Sequence, residues 1–148
     1  MRAEQADPST AMIGPLASFT EEQALVAEAN AGFYHAFEAL DFERMKAVWL
    51  PSDEVKCIHP GWELLSGWQA VMDSWQAIIH NTARIRFELG DVSVVVNGGI
   101  GWVECLEQMY DADMLAGLAV TTNLFQQNAD GRWLMIHHHA SPFVRRAG

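Results

Sequence analysis

The spacing of apolar residues changes from helical to alternating near Arg84, and that change divides the chain. Before it, Val26, Ala29, Phe33, Phe37 and Leu40 recur at intervals of three and four, the mark of a helix with one buried face. Thr20 supplies the start: its hydroxyl can accept from the backbone of Gln23 while the Gln23 side chain reaches back, a capping box. Asp41 caps a second, shorter helix with Phe42, Met45, Val48 and Trp49 on one side, stopped by Pro51. Val55 to Ile58 reads as a short strand ending in the turn His59-Pro60-Gly61, and Trp62 to Leu65 is expected to pair back onto it. Ser66 and Gln69 suggest a capping box for a third helix carrying Trp68, Val71, Met72, Trp75, Ile78 and Ile79.

After the change, Ile85, Phe87 and Leu89 alternate with Arg84, Arg86 and Glu88, and Val92 to Val96 continues the strand. Asn97-Gly98-Gly99 is a strong hairpin signal. Ile100 to Tyr110 returns, a loop is expected from Asp111 to Gly117, and Leu118 to Gln127 runs out again. Asn128 to Gly131 then turns into a last strand, Trp133 to Pro142. Two helices, a small hairpin, a third helix and a meander of long strands define an α+β domain with helices on one face of a curved sheet. Residues 1–18, with Pro8, Gly14 and Pro15, read as a flexible arm; residues 19–148 read as one domain without internal repeats.

Composition narrows the classes. At 148 residues, half of them hydrophobic, the chain is large enough for one domain with a large core, or with an apolar face hidden by self-association. Nineteen acidic residues against nine basic ones give a net charge of −10, so there is no electrostatic footprint for nucleic acid or an anionic membrane. Cys57 and Cys105 lie far apart in apolar stretches and read as buried, reduced thiols. No stretch has the length of a membrane span and the polar N-terminus lacks a signal-peptide core, so the expectation is a soluble cytoplasmic protein.

The histidine run on the last strand is the densest chemistry in the sequence. Strict alternation puts His137 and His139 on one face with Trp133, Met135 and Ser141, and His138 on the other with Leu134 and Ile136. A His-x-His pair is half of a metal site, with His59, Glu104 and Glu107 as the plausible additions; no His-x-x-x-His or cysteine cluster supports it, and no metal or cofactor is expected. The remaining readings are pocket wall for one face and packing for the other.

The order of elements, together with Gly32-Phe33-Tyr34, Leu40-Asp41-Phe42, Cys57-Ile58-His59-Pro60-Gly61-Trp62, Gly67 and the Trp133-to-Pro142 strand, resembles the nuclear transport factor 2-like superfamily, in particular its SnoaL-like branch. The resemblance covers roughly residues 20–143. It implies a cone-shaped α+β barrel, three N-terminal helices packed on a strongly curved, mainly antiparallel sheet around an apolar pocket, often dimerised through the sheets. Relatives include isomerases, cyclases and dehydratases as well as non-catalytic binding and assembly domains, so the fold leaves function open.

By the same resemblance, His59 stands where ketosteroid isomerase carries its general base, and a neutral imidazole could do that work. The isomerase's oxyanion tyrosine would fall on Phe33, with Tyr34 on a different helical face, and its acidic partner near Ala119 or Val120. Steroid isomerisation by that route therefore lacks its donors. Alternation gives Cys105, Glu107 and Met109 one face of their strand, and Thr121, Asn123 and Phe125 one face of the next. Analogy with the kinase association-domain members makes these the pocket faces, stands Cys105 and Asn123 near those members' arginines, and turns His138 inward unless a bulge exchanges the faces. Glu107 in an apolar cavity would have a raised pKa and act as acid or base; at the cone's mouth it would be a solvated residue. Trp49 and Trp62 flank the His59 hairpin and are the tryptophans suited to a flat apolar ligand. Two readings stay open: a small apolar ligand undergoing proton transfer, with His59 as base, or a non-catalytic binding or assembly domain with structural histidines.

Overall fold

The structure, a computed structural model, describes residues 18–146; apart from Ser18, the arm expected over residues 1–18 lies outside them. Helix α1 (Glu21–Glu38) begins with the predicted capping box: Gln23 N donates to Thr20 Oγ1 at 3.1 Å and Thr20 N donates to Gln23 Oε1 at 2.8 Å. It ends in a Schellman motif, with Leu40 in the left-handed region (φ 52°), Leu40 N donating to Phe37 O and Asp41 N to Ala36 O. Asp41 at once caps α2 (Phe42–Val48) by accepting from Arg44 N at 3.1 Å. Strands β1 (Lys56–Ile58) and β2 (Leu65–Ser66) form the small hairpin.

Helix α3 (Trp68–Asn81) corrects one expectation. Ser66 does not cap it; Ser66 lies in β2, where its hydroxyl accepts from Lys56 Nζ, and Gln69 donates to Asp73 instead. The cap is Gly67 at φ 98°, a conformation that side chains rarely adopt.

The long strands are β3 (Arg86–Asn97), β4 (Ile100–Asp111), β5 (Met114–Gln127) and β6 (Trp133–Pro142). The expected loop over 111–117 is instead a two-residue turn. Ala112 sits in the left-handed region (φ 54°), and Asp111 already pairs with Met114. The sheet order is β2-β1-β6-β5-β4-β3, antiparallel throughout except for β1 on β6. It is not closed, so the cone is an open one, and α1 lies against β3, β4 and β6 on its inner side.

Alternation needs a second correction on β6. Leu124 pairs with His137 but Phe125 pairs with Met135, so Ile136 is an extra residue, a β-bulge. The bulge moves Met135 from the His137 face to the inner face that it shares with His138 and Ala140, all three buried.

Contact between α1 and β4 is close because Gly101 has no side chain. A Cβ there would stand 2.8 Å from Val26 Cγ2 and 3.1 Å from Val26 Cγ1. Val26 is fully buried and branched, so it has no slack to give. Gly101→Ala is expected to destabilise the protein by about 1–3 kcal/mol through overpacking. Urea unfolding would read this as a lower midpoint with an unchanged slope.

Candidate functional site

Four elements aim polar side chains into the cone. Alternation on β4 turns Cys105 and Glu107 inward, and on β5 Thr121, Asn123 and Phe125, the faces that the family resemblance gave to the pocket; Val103 and Ala119 share these faces, and all are buried. The bulged β6 adds His138, directly opposite Asn123 in the β5–β6 register and beside Cys57 of β1. His59 follows the end of β1 and is buried as well. Helix α1 contributes Asn30, Phe33 and Tyr34.

Two hydrogen-bonded groups result. In the first, His138 Nδ1 meets Asn123 Oδ1 at 2.6 Å, Asn123 Nδ2 donates to Asn30 Oδ1 at 2.9 Å and to Tyr34 Oη at 3.4 Å, and Tyr34 Oη donates to Glu107 Oε2 at 2.5 Å. In the second, Ser74 Oγ donates to Val71 O at 2.7 Å and stands 2.8 Å from His59 Nε2. With its hydrogen committed to Val71, Ser74 accepts from His59, which is thereby the Nε2–H tautomer.

An aromatic cluster fills the space between. The Phe33 ring lies 4.9 Å from His138 and 5.4 Å from Trp75, and Phe37 lies 5.0 Å from both Trp75 and Phe87. Trp75 and Trp62 meet His59 edge-on at 4.6 Å and 4.8 Å. A cleft of about 240 Å³ opens at the cone's mouth, lined by Pro60, Glu107, Met109, Ala116, Gly117, Leu118, Ala119 and Pro142.

The structure thus gathers most of the expected residues but separates their surroundings. Of the expected site residues only Glu107 lines the cleft; His59, Phe33, Cys105, Asn123 and His138 are packed behind it. Trp62, half of whose surface is exposed, covers His59. Trp49 is not brought to the group. It is fully buried and bridges Met135, because the chain runs parallel to β6 from there and reaches His138 only at Cys57. His137 and His139 meet edge-on, 6.4 Å apart, on the outer face, and among the described residues no three His, Cys, Asp or Glu stand together as metal ligands.

Asn30 and Ser74 are hydrogen-bonded neighbours of these residues that the sequence reading passed over, and Tyr34, set there on a different helical face, joins them. The separation of Tyr34 from Phe33 fails because α1 lies inside the curve, where adjacent residues both meet the sheet. A signal existed: Asn30 falls in step with Val26, Phe33 and Phe37, and Ser74 with Val71 and Ile78, polar residues on apolar stripes.

Burial sets the charges. It pushes the His59 pKa down to about 4 and the His138 pKa well below its usual value, with the neighbouring His59 adding to the latter. It pushes Glu107 up, against the Tyr34 hydrogen bond that favours the carboxylate, and Cys105 up to about 12, which leaves that thiol inert as a nucleophile.

A curved sheet wrapped around a helix, with a polar row sealed behind a cleft at its mouth, defines the nuclear transport factor 2-like class of open cones. A family model described as a SnoaL-like domain matches residues 26–145, and the chain belongs to that family. A solved protein from Streptomyces avermitilis, provisionally named a dehydratase of the NTF2-like family, is 37% identical with a TM-score of 0.77, covering 84% of this chain and 97% of its own. Another, from Thiobacillus denitrificans, provisionally named a calcium/calmodulin-dependent protein kinase type II association domain, is 31% identical with a TM-score of 0.73, over 78% of this chain and 93% of its own. The Arabidopsis thaliana F-box protein SKIP8 is 33% identical over 112 residues, 76% of this chain but 47% of that protein, so the match spans about half of its length. Among the described residues no helix is long and apolar enough to cross a membrane.

The buried imidazoles make stability depend on pH. His59 titrates near 6.5 when unfolded and near 4 when folded, so its stabilising share is complete above pH 6.5 and is lost as pH falls toward 4. Glu107, shifted the other way, opposes this. Between pH 7 and pH 5 the His59 share falls by roughly 2 kcal/mol. His59→Gln is expected to shrink the total fall in unfolding free energy by about that amount; an equal fall in both proteins contradicts the assignment.

Proposed function

We propose that the cleft takes a small apolar molecule and that Glu107, backed by Tyr34, exchanges a proton with it, in chemistry of the isomerase, cyclase or dehydratase type. One observation carries this reading: Glu107 is the only ionisable residue among those lining the cleft, and it is buried and hydrogen-bonded by the Tyr34 hydroxyl. A carboxyl whose pKa is raised toward neutrality both gives and takes protons efficiently. The fitting substrate class is an apolar carbonyl compound with an acidic C–H. From a β,γ-unsaturated member of the class, the Glu107 carboxylate takes a proton from the carbon between the carbonyl and the double bond. The C–H electron pair is delocalised onto the carbonyl oxygen as a dienolate, and return of that proton to the γ-carbon shifts the double bond. In a β-hydroxy member, loss of the hydroxyl as water would dehydrate the compound instead. The similarity to the Streptomyces avermitilis protein supports the dehydratase branch. His59, the base implied by the family resemblance, is in this reading a neutral wall residue, bound to Ser74 and shielded by Trp62.

Deuterium exchange into apolar cyclic ketones, followed by proton NMR, tests the reading. The protein is expected to accelerate exchange, and Glu107→Gln to lower that rate by about a hundredfold or more while His59→Gln keeps most of it. Exchange that survives Glu107→Gln would rule the mechanism out.

A second reading, self-association of a non-catalytic domain, is favoured by the outer face of the sheet. Val95, Trp102 and Leu124 form one cross-strand row there, and Leu106 and Val120 another. Val120 is 53% exposed although apolar. We propose a homodimer through this face, in keeping with the similarity to the association domain from Thiobacillus denitrificans. Sedimentation velocity is expected to show a dimer that Val120→Glu converts to a folded monomer; a monomeric parent protein would refute the interface.

A further inference from the structure

The geometry points to Asn123 as the positioning residue of the cone interior: its amide holds His138 as the Nδ1–H tautomer and turns the Tyr34 hydroxyl hydrogen onto Glu107. Asn123 is fully buried on β5, and each of its polar atoms is engaged. Its oxygen lies 2.6 Å from His138 Nδ1, and an amide oxygen only accepts, so the hydrogen belongs to Nδ1. A neutral imidazole carries a single N–H, which leaves Nε2 of His138 a bare acceptor. His59 is the opposite tautomer, fixed through Nε2 by Ser74.

The nitrogen of the same amide decides the rest. One hydrogen goes to Asn30 Oδ1 at 2.9 Å and the other to Tyr34 Oη at 3.4 Å. Receiving that hydrogen, the Tyr34 oxygen aims its own at Glu107 Oε2, 2.5 Å away. Turning the Asn123 amide over alone would set two acceptor oxygens, those of Asn123 and Asn30, 2.9 Å apart, so its orientation is tied to that of Asn30 on α1. One side chain thereby orders a chain of hydrogens from an interior imidazole to the cleft-facing carboxyl. The half concerning Glu107 rests on the proton-transfer reading; the half concerning His138 does not.

Tautomers are read directly from long-range proton–nitrogen correlations of the histidine rings in ¹⁵N-labelled, ligand-free protein, with no turnover needed. His138 is expected as Nδ1–H; finding Nε2–H overturns the inference. Asn123→Asp keeps an acceptor oxygen and is expected to retain Nδ1–H. Asn123→Leu removes the acceptor and is expected to move His138 to Nε2–H or to a mixture. Unchanged Nδ1–H in the leucine variant overturns the assignment. Should that variant not fold, Asn123→Ser, which removes the amide with a smaller change in bulk, is read by the same criterion. Absence of exchange activity in the unmodified protein, with His138 found as Nδ1–H, would count against the Glu107 reading alone.

Discussion

The requirement that buried polar atoms find partners governs the polar row of this cone, because a helix is laid inside the curve of the sheet. Tyr34 and Asn30 come from that helix, while Glu107, Asn123 and His138 come from three neighbouring strands, and all five are buried. A buried donor or acceptor left unpaired costs about 1–3 kcal/mol. The five groups form one chain, so removing a central member strands several atoms at once. The interior therefore specifies one arrangement of helix against sheet more tightly than its aromatic packing alone would.

The placing of the interior polar groups depends on two irregularities of the sheet. The bulge at Ile136 shifts β6 by one residue, which lets Phe125 and Met135 face inward together while Asn123 still meets His138. Without it, Met135 would share the outer face with His137, and the core would lose a fully buried side chain. The parallel pairing of β1 with β6 brings His59 to the same end of the cone. Gly101 supplies the third condition, since the depth at which α1 sits depends on Val26 meeting bare backbone.

Much of the architecture was legible because it is written in periodicity and end signals. The capping box at Thr20, the Asp41 cap, the Gly98-Gly99 turn and the grouping of β4 and β5 residues by face follow from local chemistry, while the choice of the inward face came from the family resemblance. The failures share a cause. Ser66 is drawn into pairing with β1, Ala112 accepts a left-handed turn so that Met114 can pair with Asp111, and Ile136 bulges to fit the core. In each, tertiary pairing overrides a local preference that is worth only about 1 kcal/mol. The site was half legible. Alternation placed Glu107, Cys105 and Asn123, but the partners that give them chemical character, Tyr34, Asn30 and Ser74, lie on helices whose depth inside the curve no spacing reveals.

The pKa shifts assign different work to the two layers of the site. Burial holds both imidazoles neutral, and each would oppose a charge on the other. The same burial drives Glu107 toward its neutral acid. Burial thus disfavours charge on each of these groups, although the molecule as a whole carries a net charge of −10. In the proposed reading, an apolar ligand entering the cleft would meet a wall whose desolvation costs little. Charge develops most readily at Glu107, where the cleft admits solvent and Tyr34 stands ready to stabilise the carboxylate. A proton arriving at or leaving that carboxyl need not charge the histidines behind it, so they serve as acceptors fixed in direction while the carboxyl at the rim does the titrating.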